Sequence, residues 1–285
     1  MNDAQHSKVG AGSSRRSSGT TGRGAAAGRS GFVRLAVAVT AGLALTGSAA
    51  LTLLDSGHRP GRPASGTATG DRGATPNDAL PHPSVDMTIV RESEDPGKTV
   101  NITLDDGPDP RWTPKALDLL RQHRAKAVFC LTGPVAAAHP DLVRRIVAEG
   151  HRLCDHSVRH DTAMDTKPVS YQAEEILDAK RMIDTASGGA RVWYYRAPGG
   201  AFTPESRQIA AAHGMRSLGW NVDPSDYEQP GTDRIVRAVQ AQIAKGPTVL
   251  LHDGGGDRAQ SMQALERLLP WFTQQGYAFS FPEAG

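Results

Sequence analysis

The chain has 285 residues with 32 Lys/Arg and 30 Asp/Glu, enough for one large domain or two small ones. Residues 1–86 contain 9 Lys/Arg and 5 Asp/Glu, whereas residues 87–285 contain 23 and 25, so the basic character belongs to the N-terminal part. The remainder has mixed charge and no run of Lys/Arg, which excludes the clustered cationic surface that nucleic-acid binding requires.

The N-terminal part divides into three segments. Residues 1–34, rich in Gly, Ser, Ala and Arg, are predicted to be a disordered basic tail on the cytoplasmic side. Residues 35–54 are uncharged and follow several arginines, which is typical of either a cleaved signal peptide or a transmembrane anchor. Residues 55–86, rich in Pro, Gly, Ala and Thr, predict a flexible linker.

Both interpretations of the apolar segment place the remaining residues, 87–285, outside the cytoplasm. The protein is therefore predicted to be secreted, or anchored to the cell membrane by residues 35–54 if that segment is uncleaved. Nothing in the sequence indicates an obligate protein partner.

Residues 98–281 alternate short β-rich segments with helical segments. Proline at Thr113-Pro114, His139-Pro140 and Thr203-Pro204 predicts helix starts, and Gly150 and Gly214 predict helix ends. Strand then helix, repeated about seven times, predicts parallel strands with helical crossovers, in an open sheet or a barrel. The predicted strands cover residues 100–104, 127–131, 151–154, 192–195, 215–220, 248–251 and 277–281.

Polar side chains collect after five of these strands, at the end where parallel α/β proteins place their chemistry. His156 and His160, four residues apart, would bind one cation if they lay on one face of a helical turn. A carboxylate from a neighbouring strand end, in the Asp105-Asp106 pair, would complete a set of two histidines and one carboxylate. Such a set leaves metal positions open for water and substrate, as in catalytic zinc sites. The other clusters contain Arg196, Asp223, Asp226 and His252.

These clusters resemble the five motifs of the NodB-type polysaccharide deacetylases, carbohydrate esterase family 4. They read TLDDGP, HSVRH, RAPGG, DPSDY and LLH, and the resemblance covers nearly all of residues 98–281. It implies an α/β fold, a distorted (β/α) barrel of about seven parallel strands, in residues 87–285. It also implies metal-dependent hydrolysis of acetyl groups on a polysaccharide, first of all N-acetyl groups of GlcNAc or MurNAc residues in peptidoglycan or chitin-like oligomers.

The resemblance also implies a role for each matching residue. One divalent metal ion, zinc in the first place and otherwise cobalt, manganese, nickel or iron, would be held by Asp106, His156 and His160. Asp105 would be the general base, paired with and oriented by Arg196, and His252 would be the general acid, oriented and tuned by Asp226. Three would bind substrate or the oxyanion: Gly199, Tyr227 and Leu250.

Four positions depart from the common family pattern: Leu104, Asp155, Gly199 and Tyr227. Gly199 and Tyr227 alter the predicted pocket wall and therefore bear on substrate choice, whereas the pattern gives no role to Asp155. Trp112 and Tyr227 are predicted to stack on sugars, and Trp220 is predicted to be a core aromatic.

Three other functions use the same residue types. An O-acetyl esterase acting on acetylxylan remains open, because an intact His252 serves both reactions. A catalytically silent glycan-binding protein would be expected to lack at least one ligand or proton-transfer residue, and none is missing. A metallo-phosphoesterase would need a second metal or a cationic clamp, and Arg196 alone is a poor clamp.

Cys130 and Cys154 are the only cysteines of the chain, and each ends a predicted strand. Successive strands of a β/α array are usually neighbours, about 4.8 Å apart, and disulfide Cα atoms lie about 5.5 Å apart. In an exported domain we therefore expect the two cysteines to form a disulfide.

Overall fold

The computed structural model describes residues 80–285; the predicted tail, the apolar segment 35–54 and most of the predicted linker lie outside the described residues. Within residues 80–285, none of the helices combines the length and apolar character needed to cross a bilayer. Residues 80–86, which were predicted to belong to the flexible linker, make contacts with the folded domain. Leu80 packs against the core, and the amide and hydroxyl of Ser84 both donate to the Ala211 carbonyl.

Short strands alternate with helices along the described chain. The strands are β1 Thr99–Asp105, β2 Ala127–Leu131, β3 Arg152–Asp155, β4 Val192–Tyr195, β5 Arg216–Ser217, β6 Thr248–His252 and β7 Ala278–Phe279. The α-helices are α1 Thr113–Gln122, α2 Gly133–Ala138, α3 Pro140–Ala148, α4 Val169–Ser187, α5 Pro204–Ala212, α6 Thr232–Gln242 and α7 Ala259–Gln274.

Proline and glycine set the helix ends as predicted. Helices α1, α3 and α5 begin at or beside the three prolines, where the missing N–H costs nothing. Thr203 also caps α5 through a reciprocal pair of hydrogen bonds with Ser206. Gly150 and Gly214 follow α3 and α5 with φ of 79° and 77°, the left-handed conformation that glycine adopts without strain.

All strand pairs are parallel, in the order β5-β4-β3-β2-β1-β6, with β7 beside the start of β1. Beyond β5 the chain leaves β4 and bridges to β6 through Val222 and Val249. The predicted strand 215–220 is therefore shortened to Arg216–Ser217, because these residues change partners within a few positions. The result is the predicted barrel of parallel strands, distorted where β5 approaches β6.

Alternate strand residues face opposite sides of the sheet. One side packs under the helices in the main core, which includes Ile102, Phe129 and Leu153. The other side forms a smaller cluster in which Cys130, Cys154 and Tyr194 are all 0% exposed. The interior beneath the strand ends is therefore filled.

The Cys130–Cys154 disulfide is present, as predicted. The two cysteines are register partners on β2 and β3, with Cα atoms 4.2 Å apart. The bridge lies directly before both groups of predicted ligands, because the Asp106 amide donates to the Cys130 carbonyl and Cys154 is two residues before His156.

Candidate active site

The carboxyl ends of the strands surround one pocket of about 340 Å³, within the usual range for a small-molecule site. Asp105 and His252 end β1 and β6 as register partners, so their side chains start side by side. Nine of the sequence-predicted site residues line this pocket: Asp105, Asp106, His156, His160, Arg196, Gly199, Tyr227, Leu250 and His252. Asp226 is buried behind His252.

Asp106, His156 and His160 offer ligand atoms that all lie within 4.8 Å of one another. Asp106 Oδ1 is 3.2 Å from His160 Nε2 and 3.6 Å from His156 Nε2. This oxygen is buried, and it makes no hydrogen bond within the described part of the chain. A buried carboxylate oxygen facing two imidazole nitrogens suits one divalent cation.

His156 is held in the form that a metal requires. Its Nδ1 lies 2.7 Å from the Arg196 carbonyl, so Nδ1 carries the proton and Nε2 presents a lone pair to the pocket. Burial lowers the pKa of His156, which favours the neutral imidazole.

The segment that carries the two histidines is a loop, so the prediction that they share one face of a helical turn was wrong. His156 follows directly after β3, and neither histidine lies in a helix. Ser157 and His160 have φ of 66° and 52°, and Asp106 has φ of 71°. Such conformations are uncommon outside glycine and concentrate at functional sites. The histidines are brought together by this reversal of the backbone.

Asp105 is fixed by a buried arginine. Arg196 Nη1 donates to Asp105 Oδ1 at 2.6 Å and to the Thr103 hydroxyl at 2.9 Å, and the arginine side chain is 0% exposed. Its other N–H groups donate to the carbonyls of Leu218 and Gly219. The second oxygen, Asp105 Oδ2, lies 3.5 Å from His156 Nε2, beside the ligand cluster.

His252 has an equally specific partner. Its Nδ1 is 2.7 Å from Asp226 Oδ1, and its backbone N–H donates to Asp226 Oδ2. Ser261 on α7 also donates to Asp226 Oδ2. Burial opposes protonation of His252, but the hydrogen bond and charge of Asp226 outweigh it and raise the histidine pKa.

The pocket wall includes residues that were predicted from the sequence and one that was not. Leu250 and Gly199 line it as predicted, and Tyr227, 45% exposed, lies with its ring centroid 5.3 Å from that of His252. Trp220, predicted to be a core aromatic, also lines the pocket. Trp112 does not: it is 5% exposed and its indole N–H donates to the Gly256 carbonyl, so its predicted role as a sugar platform was wrong.

Asp155, which had no predicted role, is a structural acceptor. It is fully buried, and its Oδ1 accepts the Ser157 amide at 2.8 Å, at the start of the histidine loop. Burial raises the pKa of Asp155 well above its usual value. An asparagine at this position could accept the same N–H.

The loop after β6 closes over Asp106. Gly255 has φ of 71°, and a Cβ built there would lie 2.5 Å from Asp106 Oδ2. Only glycine allows this approach. The glycine run that follows His252 therefore has a steric role in seating the metal-ligand candidate.

Comparisons with known proteins agree with the fold and the site. Residues 92–218 match the family model described as polysaccharide deacetylase. The chain is 39% identical over 191 residues to a chitooligosaccharide deacetylase of Bradyrhizobium sp. (strain ANU 289), covering 63% of this chain and 87% of that protein. It is 37% identical over 184 residues to a peptidoglycan-N-acetylglucosamine deacetylase of Bacillus cereus, covering 64% and 85%.

A solved family 4 carbohydrate esterase from Streptomyces lividans, in complex with acetate, superposes with a TM-score of 0.58 and 30% identity, over 64% of this chain and 92% of that one. The chain therefore belongs to the NodB-type polysaccharide deacetylases of carbohydrate esterase family 4, and it is a hydrolase of that class. The resemblance carried by the five motifs is confirmed.

Proposed function

We propose that this enzyme is a zinc-dependent deacetylase that removes N-acetyl groups from GlcNAc-containing glycans outside the cytoplasm. The observation that carries the proposal is one pocket in which an open metal-ligand set lies beside two separately oriented proton-transfer groups, Asp105 and His252. Each of these groups has its own buried partner. Amide hydrolysis needs these two groups, because a base accepts a proton from the attacking water and an acid donates a proton to the leaving nitrogen.

The proposed metal ligands are Asp106, His156 and His160. Two imidazoles and one carboxylate, with room left for substrate, are typical of catalytic zinc, although cobalt, manganese, nickel or iron fit the same donors. A divalent ion held there would polarise the acetyl carbonyl and make an attacking water more acidic.

Asp105 accepts the proton of that water in our proposal. Arg196 occupies Oδ1, so Oδ2, on the side of the ligand cluster, is the oxygen left for the proton. The buried guanidinium also compensates the carboxylate charge in a place with little water. The Gly199 N–H is proposed to stabilise the developing oxyanion.

His252 then gives its proton to the departing nitrogen. Because Asp226 holds Nδ1, the opposite ring nitrogen, Nε2, is the atom that serves the pocket. The hydrogen bond and charge of Asp226 raise the pKa of His252, which favours the protonated imidazole that a general acid requires.

The relatives support the substrate class. Two of the similar proteins are named chitooligosaccharide deacetylase and peptidoglycan-N-acetylglucosamine deacetylase. Tyr227, 45% exposed at the rim, is proposed to stack on a sugar ring, and Leu250, 5% exposed, is proposed to receive the acetyl methyl group. Peptidoglycan and chitin-like oligomers are therefore the proposed substrates.

Two features support a location outside the cytoplasm: the uncharged segment 35–54 and the buried disulfide, since disulfides persist in oxidising compartments. N-terminal sequencing of the protein from membrane and medium fractions distinguishes an uncleaved anchor from a cleaved signal peptide.

The activity is tested by measuring acetate release from purified peptidoglycan, chitooligosaccharides and acetylxylan. Protein stripped with a chelator is assayed alone and after addition of zinc, cobalt or manganese. We expect release from the GlcNAc substrates that requires added metal, with Asp105→Asn as the inactive control. Full activity in metal-free protein would contradict the metal-dependent mechanism. Release from acetylxylan alone would assign the O-acetyl esterase activity, and glycan binding without turnover would assign a silent binding protein.

A further inference from the structure

In the loop that carries both proposed histidine ligands, the four backbone N–H groups from Ser157 to His160 all donate to side chains. The amides of Ser157 and His160 donate to Asp155 Oδ1 and to the Ser157 hydroxyl. The two amides between them, Val158 and Arg159, both donate to one carboxylate oxygen, Glu175 Oε2, at 3.1 Å and 2.7 Å.

Glu175 lies outside the five motifs, in helix α4. Its side chain is 0% exposed, so the carboxylate has been taken out of water. Burial of a charge is costly unless partners compensate. The compensation comes from the two loop amides and from the guanidinium of Arg159, which contacts Oε1 and is itself 54% exposed.

The loop needs this support, because its conformation is unfavourable on its own. Ser157 and His160 both adopt positive φ, a conformation that is unfavourable for a non-glycine residue unless its surroundings enforce it. The main chain between them makes no β-sheet hydrogen bonds, because strand β3 ends at Asp155. Without Glu175, two N–H groups would lose their acceptor.

We propose that Glu175 is a positioning residue that forms the histidine loop before metal arrives, by accepting the amides of Val158 and Arg159. It touches neither substrate nor metal. It fixes the backbone from which the two imidazoles project, and so sets the affinity for the ion. This inference rests on the proposed metal site, but its central claim concerns the metal-free protein.

The first test is amide hydrogen exchange in the zinc-free wild-type domain. A preformed loop predicts slow exchange at Val158 and Arg159, comparable with the adjoining part of α4. Exchange at the rate of an unstructured chain at these two amides would overturn the proposal. This measurement needs no variant and no activity.

The second test is zinc affinity, measured by competition with a chelator. Glu175→Ala removes the acceptor, and we expect zinc binding to weaken by about 10-fold or more, as for other residues that orient metal ligands. Glu175→Gln keeps one acceptor oxygen for the two amides and should stay within about 3-fold of wild type. Should the alanine variant not fold, Glu175→Met, which fills similar volume without an acceptor, takes its place.

Two neighbouring variants are the matched controls. Glu174→Ala removes the exposed carboxylate 3.4 Å from Arg159 Nη2, and Arg159→Ala removes the guanidinium but keeps the backbone N–H. Both should bind zinc nearly as wild type does. Weakening by Arg159→Ala equal to that by Glu175→Ala would show that the ion pair, and not the amide contacts, matters, and would overturn the inference. If wild type binds no zinc, the proposed function fails, whereas slow exchange at the two amides would still support a preformed loop.

Discussion

His252 Nδ1 lies 2.7 Å from Asp226 Oδ1, while Asp226 Oδ2 accepts the His252 amide and the Ser261 hydroxyl. Asp226 is therefore fixed by three donors and cannot turn away from the imidazole. Because both side chains are buried, the carboxylate acts on the ring with little screening by water.

Replacing Asp226 by Asn should shift the alkaline limb of the pH–rate profile to lower pH. The carboxylate raises the pKa of His252, so its removal makes the histidine lose its proton at a lower pH, and a general acid works only while protonated. The measurement is kcat/KM against pH. Ser261→Ala, which keeps the Asp226 charge, should shift the limb much less. An unchanged limb in Asp226→Asn would argue against His252 as the acid.

Asp105→Asn and Asp106→Asn should separate the base from the metal ligand. We expect Asp105→Asn to retain zinc and lower kcat by about 10²-fold or more, because an amide cannot accept the proton of water. Asp106→Asn should lose zinc, since it removes the carboxylate that faces both imidazoles. Zinc content and kcat are measured together. Loss of metal in the first variant would mean that the two roles are exchanged.

Removing the disulfide should lower the free energy of unfolding by about 3 kcal/mol, the loss expected for a bridge that closes a sequence separation of 24. The comparison is urea unfolding of wild type and Cys130→Ala/Cys154→Ala, both without reductant. Adding reductant to the unfolding buffer should bring wild type toward the double variant and leave the variant unchanged. Equal stability of the two oxidised proteins would contradict the prediction.

His151 should make the domain sensitive to acid. It is 7% exposed, its Nδ1 accepts the Ala127 amide, and burial lowers its pKa from 6.5 to about 4. The unfolded chain therefore binds more protons in this range. Stability from the neutral ring is present above pH 6.5 and is lost as pH falls towards 4, amounting to about 3 kcal/mol.

The check is His151→Asn, which keeps an acceptor for Ala127 but cannot take up a proton. We expect urea unfolding of the zinc-free variant to show a smaller loss of stability than wild type between pH 7 and pH 4. His213→Asn, at an exposed histidine of α5's C-terminal end, is the control and should behave as wild type. The same pH dependence in wild type and His151→Asn would exclude burial of His151 as the cause.

Strands and helix ends could be predicted because they follow local rules. β2 and β4 have the predicted bounds, and the three X-Pro helix starts were correct, since proline geometry and apolar runs act over a few residues. β5 was predicted too long, because its length depends on a change of partner strand.

The candidate site likewise has features that could be predicted from the sequence and features that depend on the three-dimensional structure. Motif order located its ionisable groups, but not the backbone that carries them: the His156–His160 spacing fits a helix, and the positive φ of Ser157 becomes visible only in three dimensions. Trp220 resembles any buried strand aromatic in sequence, and its place in the pocket wall depends on how β5 bends away. Glu175 looks like one more charge on an amphipathic helix until the loop amides are seen to meet it.

The packed interior of the barrel also bears on how the product acetate leaves the pocket. Tyr194 and the disulfide fill the space beneath the strand ends, so acetate is expected to leave on the opposite side, where Tyr227 is 45% exposed. Under the proposed function the glycan would lie over this opening, and acetate released in the pocket would leave beside Tyr227. A polymer that stays seated after cleavage would hold acetate inside, so turnover on long chains depends on how fast the glycan lifts or slides away.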